Sequence, residues 1–278
     1  MAENGLRRSQ AVRPPTMRDR ALVLFGLTAV AALAWMYVSY MSWGMAHMDA
    51  GAAMIIMPRM IDWSALDLLL VLAMWTIMMA AMMLPSIAPM VLAFATLSLR
   101  GQAPRTRYVR TSAFVLGYLA VWSGFSVLAT LAQWGLLHAR LITPMMASAT
   151  PLFAGTLLVC AGVFQFTPLK HACLSKCASP LGFLLNQWRD GIRGAWIMGL
   201  RHGAYCVGCC AWLMALLFVF GVMNMLWIAA LSIYVLLEKM LPHARWLSFA
   251  AGLLLIGWGV AVATTGSEAL AGGGAASK

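Results

Sequence analysis

The chain has 278 residues, 63% of them hydrophobic and only 10% charged, with a formal net charge of +11. Its mean hydropathy is +0.84, and several apolar runs approach the roughly 20 residues that cross a bilayer core as a helix. That balance excludes a soluble globular fold. The basic residues sit in short clusters between apolar runs, as in cytosolic loops that orient a membrane protein, which excludes a nucleic-acid footprint.

The predicted fold is all-α: a polytopic helical membrane protein with a cytosolic N-terminus, placed in a bacterial inner (cytoplasmic) membrane. Residues 1–20 read as a basic cytosolic segment carrying Arg7, Arg8, Arg13, Arg18 and Arg20. Residues 21–264 read as a single helical transmembrane domain, and the alanine- and glycine-rich residues 265–278 as a flexible tail. The first apolar run is too long for a signal peptide and no small-residue cleavage site follows it, so it is expected to stay as a first helix.

Seven spans fit, at about 21–40, 67–97, 112–137, 150–167, 195–220, 223–240 and 246–264. Pro85 and Pro89 are expected to break or kink the second span. Arg100, Arg105, Arg107 and Arg110 place the next loop in the cytosol, as do Lys170, Lys176, Arg189 and Arg193 for the segment after the fourth span. Lys239 and Arg245 assign the sixth-to-seventh turn to the same side. The loops at 41–66 and 138–149 carry only Arg59 and Arg140 and are expected outside.

The first outward loop reads "MSWGMAHMDAGAAMIIMPRM" and includes Met45, His47 and Met48. An exposed loop has no packing reason to be rich in thioethers, whereas thioether and imidazole donors suit copper, Cu(I) above all. In the second span, "MWTIMMAAMML" aligns Met78 and Met82 at helical spacing with Met83 beside them. Methionine also fills membrane cores, and for any one of these residues packing is the simpler explanation.

"PLKHACLSKC" follows the fourth span and sets Cys173 and Cys177 one helical turn apart. "RHGAYCVGCC" opens the fifth with His202, Cys206, Cys209 and Cys210 within an arc of about 100° on one helix face. A lone buried cysteine, such as Cys160, is a small hydrophobe. Three cysteines aligned with a histidine are a ligand pattern for Cu(I) or zinc, and methionines outside with cysteines inside favour copper. Gly199 and Gly203 lie near the same face and are expected to admit a close neighbouring helix. Arg201 reads as a snorkelling interface residue, and Glu238 as a partner for Lys239 or Arg201.

At these residues the chain resembles a bacterial family of predicted metal-binding integral membrane proteins of unknown function. The likeness runs from about Asp67 to Val262. Trp75, Met78, Ala81, Met82, Met83 and Pro85 fit a W-x-x-M-x-x-A-M-M-x-P motif, and Pro168 to Cys177 fit P-L-K-x-x-C-L-x-x-C. Cys206, Gly208, Cys209 and Cys210 fit C-x-G-C-C, and Glu238 with Lys239 resembles a later E-K pair. Ala178 and Ala211 depart from the family pattern without removing a sulfur donor. The resemblance implies metal binding in the membrane.

The expected function is therefore binding of a transition metal, Cu(I) in preference to zinc, for transport or for delivery to a metallochaperone or metalloenzyme partner. The lipid bilayer is its surrounding partner, and nucleic acid and nucleotide are not. No nucleophile triad, phosphate loop or carboxylate pair is present, so the chain is not expected to be an enzyme. Two alternatives follow from the same residues: a membrane thiol-disulfide oxidoreductase, since Cys206 and Cys209 form C-x-x-C, or a non-catalytic structural subunit of a membrane complex.

Overall fold

A computed structural model describes residues 17–46, 63–98, 104–142, 150–241 and 244–273. The described residues are predominantly helical, without strands. In chain order the helices are α1 (Met17–Ala46), α2 (Ala65–Leu97), α3 (Pro104–His138), α4 (Pro151–Phe164), α5 (Pro168–Ala178), α6 (Pro180–Gln187), α7 (Gly191–Ala215), α8 (Leu217–Phe220), α9 (Met225–Met240) and α10 (Ala244–Gly273).

Five stretches are long and apolar enough to cross a membrane: Arg20–Gly44, Ala65–Leu97, Tyr108–His138, Gly191–Phe220 and Arg245–Thr265. The pair α4 and α5, bent by 65°, makes a sixth if it counts as one broken span. Of the seven expected spans, the sixth differs most. Its helix α9 has 16 residues, and at about 1.5 Å per residue it falls short of the roughly 30 Å hydrocarbon thickness.

Local chemistry sets several boundaries. Ser64 and Asp67 form a reciprocal capping box that starts α2: the Asp67 amide donates to Ser64 Oγ at 3.3 Å and the Ser64 amide to Asp67 Oδ2 at 2.9 Å. The bend between α4 and α5 falls at Thr167 and Pro168, because proline has no N–H to continue the first helix and suits the first position of the next. Thr167 Oγ1 then accepts from the Lys170 amide at 3.3 Å as the N-cap. Asn224 caps α9 in the same way, through Leu226 N at 3.2 Å.

Of the expected break or kink, the break does not occur: α2 runs as one helix through Pro85 and Pro89. Pro85 cannot donate to the carbonyl four residues earlier, Ala81 O, and the Trp35 indole N–H of α1 donates there instead at 3.0 Å. Met82 O also accepts from Ser232 Oγ of α9 at 3.3 Å. A neighbouring helix thus satisfies the carbonyl that Pro85 frees.

The helices pack α3 on α7, α4 on α10, α1 and α3 on α2, and α5 on α7. Small residues set the closest approach, as the glycine stripe of the fifth span requires. A methyl group at Gly199 would strike Phe114 O of α3, and one at Gly117 would strike Trp196 O of α7. The core holds Trp75, Met78, Met79, Met82, Met83, Phe114 and Tyr118. Into this core α5, α7 and α9 each bring polar or sulfur side chains.

Candidate metal centre

Along α7, His202, Cys206, Cys209 and Cys210 are all buried on one face, as their spacing demands. Their surroundings differ. Cys209 Sγ lies 3.3 Å from Cys210 Sγ and bonds to Cys206 O at 3.2 Å. Cys206 Sγ is 3.1 Å from the Tyr118 hydroxyl of α3 and accepts from Lys239 Nζ of α9 at 3.0 Å. Lys239 also donates to Ser86 Oγ of α2 at 2.8 Å. Helices α3, α7 and α9 meet at one sulfur atom, and Lys239 links α2 to it.

The short helix α5 supplies the second sulfur pair. Cys177 is buried and its thiol interacts with those of Cys206 and Cys209. Cys173, also buried, rests its Sγ against the backbone of Gly208, where an added Cβ would lie only 2.8 Å from it. Gly208, the middle residue of C-x-G-C-C, therefore makes room for the first cysteine of the other motif. Cysteines of the two motifs, separated in sequence, lie together in the fold, and all of them are free thiols.

The remaining site residues fall elsewhere or near by. The His202 ring lies among Phe114, Tyr118 and Phe183, at centroid distances of 6.1, 5.9 and 5.1 Å, and its Nδ1 has no hydrogen-bond partner. Met78, Met82 and Met83 are fully buried in α2. Ser86 follows Met78 and Met82 at the same four-residue spacing, so this methionine row leads along one face to the side chain that holds Lys239. Met45 lies in the last turn of α1, where its side chain is not described, and His47 and Met48 lie outside the described residues. Cys160 is half-buried in α4.

The pairing expected for Glu238 is corrected by the structure. Its partner is neither Lys239 nor Arg201 but Lys170 of α5, at 2.6 Å with both side chains fully buried. Ser248 donates to the same carboxylate at 2.5 Å and Tyr234 at 3.2 Å, and Lys170 also bonds to Gln165. Arg201 stays exposed beside Gln187. Lys239, read from sequence as a topogenic charge, is instead buried on the sulfur cluster. Tyr118 carried no sequence signal at all, since its role depends on α3 crossing α7 where glycines let the backbones meet.

Several soft donors face one another in a buried volume beside a single cation. Among the described residues, no three His, Cys, Asp or Glu side chains already form a closed ligand set. The thiols bond instead to one another, to Tyr118 and to Lys239. This donor chemistry fits a thiophilic ion that accepts few ligands. No curated protein and no solved structure matches the chain. The profile of the PpoB2 family, described as copper chaperones, matches residues 72–262, a stretch that covers well over half of the sequence and contains both cysteine motifs and Lys239; the chain belongs to this copper chaperone family.

Proposed function

We propose that the protein spans the bacterial inner membrane and holds Cu(I), its cargo, at the buried thiols of Cys177, Cys206, Cys209 and Cys210, then releases it to a partner metalloenzyme or metallochaperone. The convergence of two separate cysteine motifs on one buried cluster carries this reading. Thiolate sulfur is the preferred donor for Cu(I). Cys173, wedged on Gly208 at the edge of the cluster, is placed to exchange with Cys177 as a ligand. The action is binding and transfer, without chemical turnover of a substrate.

Charge supports the monovalent ion. Cu(I) held by two thiolates carries one net negative charge, and the buried ammonium of Lys239 beside Cys206 balances it. An uncompensated charge in this apolar setting would cost several kcal/mol.

The methionine row of α2 supports a route. Met78 and Met82 lead to Ser86, and Ser86 touches Lys239, so thioethers line the approach to the thiols. Weak thioether donors upstream and stronger thiolates downstream give a gradient down which Cu(I) exchanges ligand by ligand. In this reading Met45, His47 and Met48 collect the ion on the outer side, and delivery is favoured over free transport by the family's description.

The test is metal content of anaerobically purified protein after competition with a Cu(I) chelator, with Cys206→Ser and Cys209→Ser beside the parent. The parent is expected to keep copper and each variant to lose it. Equal retention in all three rules these residues out as ligands. A Cys206–Cys209 disulfide trapped by rapid thiol blocking, with no copper bound, replaces this reading with thiol exchange.

A further inference from the structure

A second polar site lies away from the sulfur cluster and shares no residue with it. Its starting point is Arg110 of α3, which the sequence marks only as one of several basic residues in a loop. In the fold the residue is 2% exposed. Its Nε and Nη2 have no hydrogen-bond partner. The nearest carboxylate, on Asp190, stands 3.8 Å from Nη2, beyond hydrogen-bond reach, and that side chain is 86% exposed and already accepts from Trp188 Nε1 at 3.0 Å. The hydroxyl of Ser98, at the C-cap of α2, is also buried without a partner.

These groups border one cavity of about 320 Å³, lined by Leu97, Ser98, Arg110, Leu184, Trp188 and Asp190. The Trp188 ring lies under the guanidinium at 5.5 Å, holding its plane. Buried guanidinium N–H groups rarely go without acceptors, because each orphaned donor carries its full desolvation cost. The two orphans here, Nε–H and one N–H of Nη2, lie on the same edge of the fork and point in parallel. That edge takes two oxygens of one anion.

We propose that this cavity binds a phosphate group. Arg110 grips two of its oxygens and the Ser98 hydroxyl donates to a further one, a demand that a two-oxygen carboxylate meets less well. The site is formed where α2 ends and α3 begins, on the side that the flanking arginines assign to the cytosol, at the level of phospholipid headgroups. The phosphate can come from an anionic headgroup or from free phosphate. Asp190 stands at the rim as the opposing charge, 3.8 Å from the guanidinium and bonded to Trp188, and moves aside when the anion enters.

The test uses the full-length protein in detergent, with native mass spectrometry counting bound phosphatidylglycerol against phosphatidylcholine, and with inorganic phosphate added as competitor. Wild type is expected to retain phosphatidylglycerol, Arg110→Met to lose about ten-fold or more in affinity, and Asp190→Asn to bind more tightly. Lys176→Met, an exposed charge on the same side, is the control and leaves binding unchanged. Displacement by inorganic phosphate identifies a free-phosphate site, and lipid retention in its presence identifies a headgroup site. If Arg110→Met does not fold, Ser98→Ala and Asp190→Asn, with opposite expected effects, carry the test. Equal binding by Arg110→Met and wild type, or binding of neither phosphate source, overturns the proposal.

Discussion

Two buried lysines, Lys170 and Lys239, sit at neighbouring corners of the same bundle and are treated in opposite ways. Lys170 faces the carboxylate of Glu238 at 2.6 Å, and Ser248 and Tyr234 bond to the same carboxylate. Lys239, the very next residue after Glu238, turns to another side of α9 and meets only the hydroxyl of Ser86 and the sulfur of Cys206. One corner is closed by fixed charges and ties α5 to α9. The other is closed by a thiol, a group that can exchange its partner for a soft metal. Under the proposed function, the adjacent Glu238 and Lys239 divide structural and functional work between two sides of one helix.

That contrast can be broken from either side. The largest effect is expected from Glu238→Gln, which leaves Lys170 as a buried cation with no counter-charge. A loss of about 3–5 kcal/mol should appear as a fall in the thermal unfolding midpoint in detergent, and a double variant with Lys170→Met should recover much of it. By contrast, Lys239→Met should leave that midpoint nearly unchanged and lower Cu(I) affinity by roughly 10–100-fold, measured by chelator competition. A large stability loss with unaltered copper affinity would reverse the roles assigned to the two corners.

Smaller effects sharpen the geometry. Gly208→Ala pushes a methyl group to within 2.8 Å of Cys173 Sγ, so stability should fall by about 1–3 kcal/mol and copper binding should weaken less than in Cys209→Ser. Trp35→Phe removes the donor that covers Ala81 O beside Pro85, with an expected cost of about 1–3 kcal/mol and intact copper binding. Met82→Leu, nearly volume-conserving, should cost under about 1.5 kcal/mol while slowing copper loading in stopped-flow measurements. Unchanged loading would return the α2 methionines to packing alone.

Much of this was written in the sequence, and the limits have physical causes. The long apolar runs that give α1, α2, α3, α7 and α10 are a one-dimensional signal, and so is the sulfur face of α7, because helical spacing fixes which residues share a side. The family resemblance began at about Asp67 and ended at Val262, close to the matched residues 72–262. Hydropathy alone extends the short α9 to a full span, because it does not register where a helix stops against its neighbours. In the sequence Lys239 reads as a loop charge, since nothing local distinguishes a lysine facing water from one turned onto a thiol 33 residues away. The same holds for Tyr118 and for Lys170, whose partners are supplied by helix crossings.

The central claim is that both cysteine motifs serve one Cu(I) site. The most direct measurement is copper K-edge X-ray absorption on the anaerobically loaded full-length protein, beside Cys177→Ser and Cys206→Ser. The account predicts a Cu(I) edge with a sulfur-only first shell in the parent, and a lost or lighter-atom shell in each variant, although the two cysteines lie on different helices. A first shell of nitrogen or oxygen in the parent, or spectra unaltered by either substitution, would contradict it.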